Sequence, residues 1–182
     1  MKQLEEHITV MNASIDEQQI KRIASVIVKC LQSANKIMLI GNGGGAADAQ
    51  HVAAEFVGRF MKDRAPMAAI ALTTDTSILT SIGNDISFDY IFSRQVKALG
   101  KEGDVLLAIS TSGSGNILAA LGYAKTHGII TVGLTGLRGR ASMSICDELI
   151  TVQSDQTARI QECHEFILHV ICGMVEDEMS ML

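Results

Sequence analysis

"MLIGNGGGAADAQHVAAEF", residues 38 to 56, passes from an unbroken apolar run through glycines at 41, 43, 44 and 45 into a segment with helical spacing. An apolar run without alternation predicts a short strand buried on both faces, here "KIMLI" at 36–40. The spacing after the glycines predicts a helix over 46–60. Strand, glycine turn and helix make one βα unit, and repetition of that unit would decide the fold class.

The rest of the chain repeats it. Ile20, Ile23, Ala24, Ile27 and Leu31 recur at three- and four-residue spacing and predict a helix within 15–33, ahead of the first strand. Further strands are predicted at "MAAIAL" (67–72), "DVLLAIS" (104–110), "IITVGLT" (129–135) and "ELITV" (148–152). A helix follows the third, and a long one from about Gln156 to Glu178 closes the chain. Buried strands alternating with helices imply an α/β, three-layer, doubly wound parallel sheet. With one proline, 16 glycines and no linker or repeat, residues 1–182 read as one domain with an N-terminal helical segment.

Ligands of such sheets gather where strands lead into helices, which singles out loops 41–45 and 110–116. Gly41, Gly43 and Ala46 satisfy G-x-G-x-x-A, yet no acidic residue stands about 20 positions on at a strand tip, and no G-K-[ST] closes either loop. A nucleotide cofactor is therefore not expected. In "STSGSGN", Ser110, Thr111, Ser112 and Ser114 supply hydroxyls at the start of a helix, where free N–H groups favour an anion. A compact phosphate fits that chemistry; a serine-capped turn without ligand is the plainer alternative. Asn84 and Asp85, in "IGNDISFD", suit either sugar hydroxyls or ordinary turn chemistry. His51 and Glu55, four apart on a helix, share a face and can serve a metal, a substrate edge or simply each other. Gln161, His164 and His169 interrupt an otherwise apolar helix. Gln161 and His169 lie eight residues, about 12 Å, apart along it, so one ion shared with His51 and Glu55 is geometrically tight.

Composition narrows the classes. Fifteen basic residues stand against 20 acidic, for a net charge of −5, and aromatics are 4%, which argues against a nucleic-acid surface. No apolar stretch reaches the roughly 18 residues of a membrane span, and "MKQLEEHITV" carries acidic residues where a signal peptide has its apolar core. Cys30, Cys146, Cys163 and Cys172 form no CxxC pair and read as buried thiols in a reducing, cytoplasmic setting.

"GNGGGAADAQHVAAEF", "ALTTDTSILTSIGND", "SRQVKALGKEGDVLLAISTSG" and "ARIQECHEFILHVIC" together resemble the phosphoheptose isomerases, over about residues 20 to 178. The resemblance implies the sugar-isomerase (SIS) fold, a flavodoxin-like five-stranded parallel sheet. It implies conversion of sedoheptulose 7-phosphate to D-glycero-D-manno-heptose 7-phosphate through an enediol, in bacterial heptose synthesis for lipopolysaccharide core or another surface glycan. Glu55 and His169 match the proton-transfer pair. His51, Glu55, Gln161 and His169 match a zinc site, one ion per subunit. Asn42, Gly43, Gly44, Glu55, Asn84, Asp85, Ser110, Thr111, Ser112, Ser114 and Gln161 match substrate contacts. A homotetramer with sites at subunit contacts is implied as well, and the apolar residues on several sides of the last helix agree with it.

Two positions depart from the family pattern. Gly45 stands where the pattern G-N-G-G-S has serine, and "STSGSG" is one residue shorter than S-T-S-G-N-S, so Ser114 is matched across a deletion. The N-terminal segment is also shorter than usual. An isomerase of another sugar phosphate is one alternative reading. Another is a non-catalytic adaptor resembling the replication-initiator-binding protein of the same fold, but that relative resembles the isomerases less at the catalytic pair, and this chain keeps both Glu55 and His169. A sugar-phosphate sensor would need a DNA-binding domain that 182 residues leave no room for.

Overall fold

Every strand that the apolar runs predict is present, and the five, β1 Ile37–Gly41, β2 Ala69–Ala71, β3 Val105–Ile109, β4 Ile130–Gly136 and β5 Glu148–Val152, lie parallel in the order β2-β1-β3-β4-β5. The computed structural model describes residues 1–181. In chain order the elements are α1 Lys2–Ser14, α2 Glu17–Gln32, β1 Ile37–Gly41, α3 Gly44–Val57, β2 Ala69–Ala71, α4 Thr76–Asp85, α5 Ser93–Leu99, β3 Val105–Ile109, α6 Gly115–Thr126, β4 Ile130–Gly136, β5 Glu148–Val152 and α7 Thr157–Met179. Single 3₁₀ turns lie at Phe88–Tyr90, Leu137–Gly139 and Ser142–Ile145.

The strands are buried on both faces because both faces carry helices. Ile37 and Leu39 pack with α2, α3 and α7, whereas Met38 and Ile40 pack with Phe92, α6 and the start of α5. Register follows the same logic, pairing Ile37 with Val105 and Gly41 with Ile109, since a one-residue slip would exchange the two cores. The strand order reverses between β1 and β3, and that switch point leaves a crevice at their carboxyl ends. Both chemically rich loops open there, one after β1 and the other after β3.

Differences from the periodicity have local causes. Residues 67–72 contribute only three to β2, because the Met67 N–H donates to the Phe56 carbonyl (3.1 Å) and ties the approach to α3 instead. Residues 76–85 form a helix, capped by the Asp75 carboxylate accepting from Ile78 N–H at 2.8 Å, so Asn84 and Asp85 sit in its last turn and not in a loop. The apolar residues of α7 are mostly covered by the chain itself, with Phe166 left exposed. The uncovered apolar segment is elsewhere. No residue of α4 is buried, and Ile86, Phe88 and Tyr90 that follow it are exposed. All four cysteines are free and buried, and burial pushes the Cys172 thiol up to about 12, so none is an activated nucleophile.

Candidate functional site

The glycine loop packs too closely for side chains. A Cβ on Gly41 would meet the Gly45 carbonyl at 2.3 Å, and Gly43 adopts φ +54°, which glycine tolerates best. Gly45 carries the departure noted above. A Cβ there would stand 2.7 Å from the Ile109 carbonyl oxygen, so α3 approaches β3 more closely than a serine allows. Across the crevice, Asn42 and Asn116 exchange two amide hydrogen bonds (2.8 and 3.0 Å) and lock the two loops together. Ser110 Oγ accepts from Gly113 N–H at 3.0 Å, which folds the serine loop around its first hydroxyl.

Between them lies a small cleft of about 70 Å³, lined by Asn42, Gly45, Asp48, Ile109, Ser110, Thr111, Ser114, Gln161 and His164. Of the expected substrate contacts, Asn42, Ser110, Thr111, Ser114 and Gln161 meet here. Gly44 adjoins it, since a Cβ there would touch the Gln161 amide. Gly43 and Ser112 are exposed and are not part of its lining. Asn84 and Asp85 are outside it, exposed, with Asn84 Nδ2 donating to Asp85 Oδ1 at 2.8 Å.

The second cluster lies where α3 and α7 face each other. Asp48, His51 and Glu55 form a stripe on α3; Gln161, Glu165 and His169 form the opposing one on α7. His51 Nε2 stands 3.1 Å from Glu55 Oε1 and 3.5 Å from His169 Nε2. Its other nitrogen, Nδ1, stands 2.9 Å from Glu165 Oε1, an oxygen 3.6 Å from His169 Nε2. Ligands 2.0–2.1 Å from a tetrahedral zinc are about 3.3 Å from one another, so the His51–Glu55 and His51–His169 separations fit two edges of such a site. His51, Glu165 and His169 also satisfy the proximity that a metal group requires. Gln161 makes no hydrogen bond to these residues and lies against Gly44 instead; the 12 Å rise between positions 161 and 169 accounts for that.

Sequence reasoning missed Asp48 and Glu165, and singled out His164 only as a polar residue interrupting the last helix. Burial first, then repulsion by Glu165 and the hydrogen bond to it, push Asp48 up to about 6 against the pull of His51. His164 is fully buried, and burial drives it down to about 4 although the Thr135 carbonyl opposes this. It is neutral at pH 7, and neither ring nitrogen has a partner among the described residues. The available signal was spacing: Glu165 is four residues from both Gln161 and His169, and Asp48 is three before His51.

Behind the cluster a buried ion pair holds both helices. Glu176, 1% exposed, accepts from the N–H groups of Phe60, Met61 and Lys62 (2.9, 2.7 and 2.9 Å) and from Arg64 Nε at 3.1 Å. Arg64 Nη2 donates to the Glu55 carbonyl at 2.7 Å. The Phe60 ring lies on the His169 imidazole, centroids 5.5 Å apart.

Comparison with known proteins places this geometry. The SIS domain family matches residues 2–136. The chain is similar to phosphoheptose isomerase of Bradyrhizobium sp. strain BTAi1, 56% identical over 85% of this chain and 79% of that one. It is also similar to phosphoheptose isomerase 1 of Campylobacter jejuni, 49% identical over 97% and 96%. Among solved structures, phosphoheptose isomerase GmhA from Neisseria gonorrhoeae superposes with a TM-score of 0.90 at 42% identity, covering 97% of this chain and 96% of that one.

Proposed function

This chain belongs to the SIS domain family and to the phosphoheptose isomerases within it, and on that premise we propose that it interconverts sedoheptulose 7-phosphate and D-glycero-D-manno-heptose 7-phosphate. It is an aldose–ketose isomerase acting through an enediol, in synthesis of a bacterial heptose precursor. The observation that carries this reading is the alignment of two sites along α3. Gly45 and Asp48 belong to the glycine–serine cleft, and His51 follows Gly45 by six residues, about 9 Å along the axis. A seven-carbon sugar phosphate needs that layout: an anion site at one end and proton-transfer groups at the other.

The Ser110, Thr111, Ser112 and Ser114 hydroxyls and the N-terminal amides of α6 take the phosphate. Asn42, the Gly43 and Gly44 amides and Gln161 hold the sugar chain. Glu55 removes the proton beside the carbonyl and returns it to the neighbouring carbon, and His169 serves the oxygens. A carboxylate has two oxygens, so Oε1 facing His51 leaves the other for this transfer. His51, Glu55 and His169 would hold a zinc ion, one per subunit. When bound it supplies Lewis-acid polarisation of the carbonyl oxygen. Residues 1–182 act as a single SIS domain in the cytoplasm, without nucleotide or nucleic acid. No helix among the described residues is long and apolar enough to cross a membrane.

The deciding experiment is conversion of sedoheptulose 7-phosphate in deuterated water, followed by proton NMR, with zinc and with a chelator. Turnover with deuterium entering at C1 or C2 is expected, with activity lost in the chelator arm. No turnover by folded protein in either arm would overturn the isomerase reading in favour of another sugar phosphate or an adaptor.

The assembly we propose is a homotetramer. Support comes from α4 and the exposed Ile86, Phe88 and Tyr90 beside it, an apolar segment that a second copy would cover. Asn84 and Asp85 end that helix and, in this reading, meet sugar at a subunit contact. Light scattering should give the mass of four 19.5-kDa chains; a stable monomer at micromolar concentration would refute it.

A further inference from the structure

The zinc reading takes His51 as a ligand but leaves open which of its nitrogens is free to bind. The surroundings of the ring answer this. Nδ1 faces Glu165 Oε1 at 2.9 Å, while Nε2 faces Glu55 Oε1 at 3.1 Å and His169 Nε2 at 3.5 Å. A neutral imidazole has one N–H. With the proton on Nε2, the Nδ1 lone pair would confront the Glu165 carboxylate at hydrogen-bond distance, two acceptors with nothing between them. With the proton on Nδ1, Glu165 receives a hydrogen bond. The Nε2 lone pair then faces the Glu55 oxygen and the His169 nitrogen, an arrangement that calls for a cation.

We infer that Glu165 is a positioning residue of the metal site: its carboxylate accepts the Nδ1–H of His51 and so presents Nε2 towards Glu55 and His169. The inference rests on the zinc reading, since without a cation beside Nε2 either tautomer would leave a ring lone pair facing a carboxylate. Histidines that ligate metals commonly donate their second N–H to a carboxylate, which fixes both tautomer and ring orientation. Here the orienting group comes from α7 and the ligand from α3, so Glu165 also couples the two helices that bring the site together. It lies midway between Gln161 and His169 on the same stripe, and Asp48 meets its carboxyl from α3.

The test has two readouts. Zinc affinity is measured by competition with a chromophoric chelator for the wild type, Glu165→Ala and Glu165→Gln. Imidazole ¹⁵N spectra of the zinc-free proteins, recorded where the ring is neutral, report the His51 tautomer without metal. Glu165→Ala should weaken zinc binding about 10- to 100-fold and move the His51 proton from Nδ1 towards Nε2. Glu165→Gln keeps an acceptor oxygen and should remain closer to wild type in both. Unchanged affinity and tautomer in Glu165→Ala would overturn the assignment. Equal loss of affinity in both variants with the tautomer intact would make Glu165 a ligand instead, which overturns it too. A wild type that binds no zinc while Glu165→Ala still shifts the tautomer would refute the zinc reading alone and leave the orienting of His51 by Glu165 standing.

Discussion

Glu55→Gln should lower kcat about 10²- to 10⁴-fold while leaving KM for the sugar phosphate and the fold almost unchanged. The amide has the shape of the carboxylate and can still face His51 Nε2, so the arrangement along α3 survives. What it cannot do is take a proton from carbon. In the proposed reading the phosphate is taken by the serine loop and the start of α6, in a cleft that Glu55 does not line, so ground-state binding has little reason to change. Deuterium exchange at C1 or C2 should fall in step with turnover, because both need the same proton abstraction. His169→Gln should show a comparable loss. The double variant should be only modestly worse than the poorer single one, since the two groups act on one transition state. Near-normal exchange in Glu55→Gln would remove Glu55 as the base.

The strands were legible because burial on both faces leaves continuous apolar runs such as "IMLIG" and "VLLAI", and the loops because chemistry at strand ends draws on glycine and serine. Helix α4 was harder to read. Its apolar residues Ile78, Leu79 and Ile82 are only half-buried, with Leu79 and Ile82 resting against the core beside α5 and α6, so its helical signal is weak, and Asn84 and Asp85 went with it. The site was half legible. His51, Glu55 and His169 stand out as rare groups on apolar helices, but acidic residues at Asp48 and Glu165 look like ordinary solvated positions until α3 and α7 face each other. Pairings across more than 100 residues, such as His51 with Glu165, depend on how helices stack on a sheet, and local periodicity carries no record of that.

Glu176 is the sharpest case of such a pairing, and Glu176→Ala should destabilise the protein by about 3–5 kcal/mol. At this chain length that corresponds to a fall in Tm of roughly 6 to 20 °C. Removing the carboxylate strands Arg64, whose side chain is 6% exposed, and deprives the N–H groups of Phe60, Met61 and Lys62 of their acceptor. Glu176→Ala/Arg64→Met would relieve the stranded charge but not the three amides, so it should recover only part of the loss. The pH dependence has a definite sign. Burial works against the charge of Glu176, but the amides of Met61, Phe60 and Lys62 and the Arg64 guanidinium outweigh it and hold the pKa below the ordinary carboxylate value. Between the two values the unfolded chain binds more protons than the folded one. The contribution of Glu176 is therefore complete above the unfolded value and drains away as pH falls through the folded one. The gap between wild type and Glu176→Ala should be widest at neutral pH and close in acid. Catalysis should suffer as well wherever the variant stays folded, because Arg64 steadies the Glu55 carbonyl and Phe60 lies on His169. Chemical denaturation at pH 7 and at pH 4 decides the matter. A loss under about 1 kcal/mol at neutral pH, the size of a surface pair, would mean that the segment after α3 is held by its packing and not by this carboxylate.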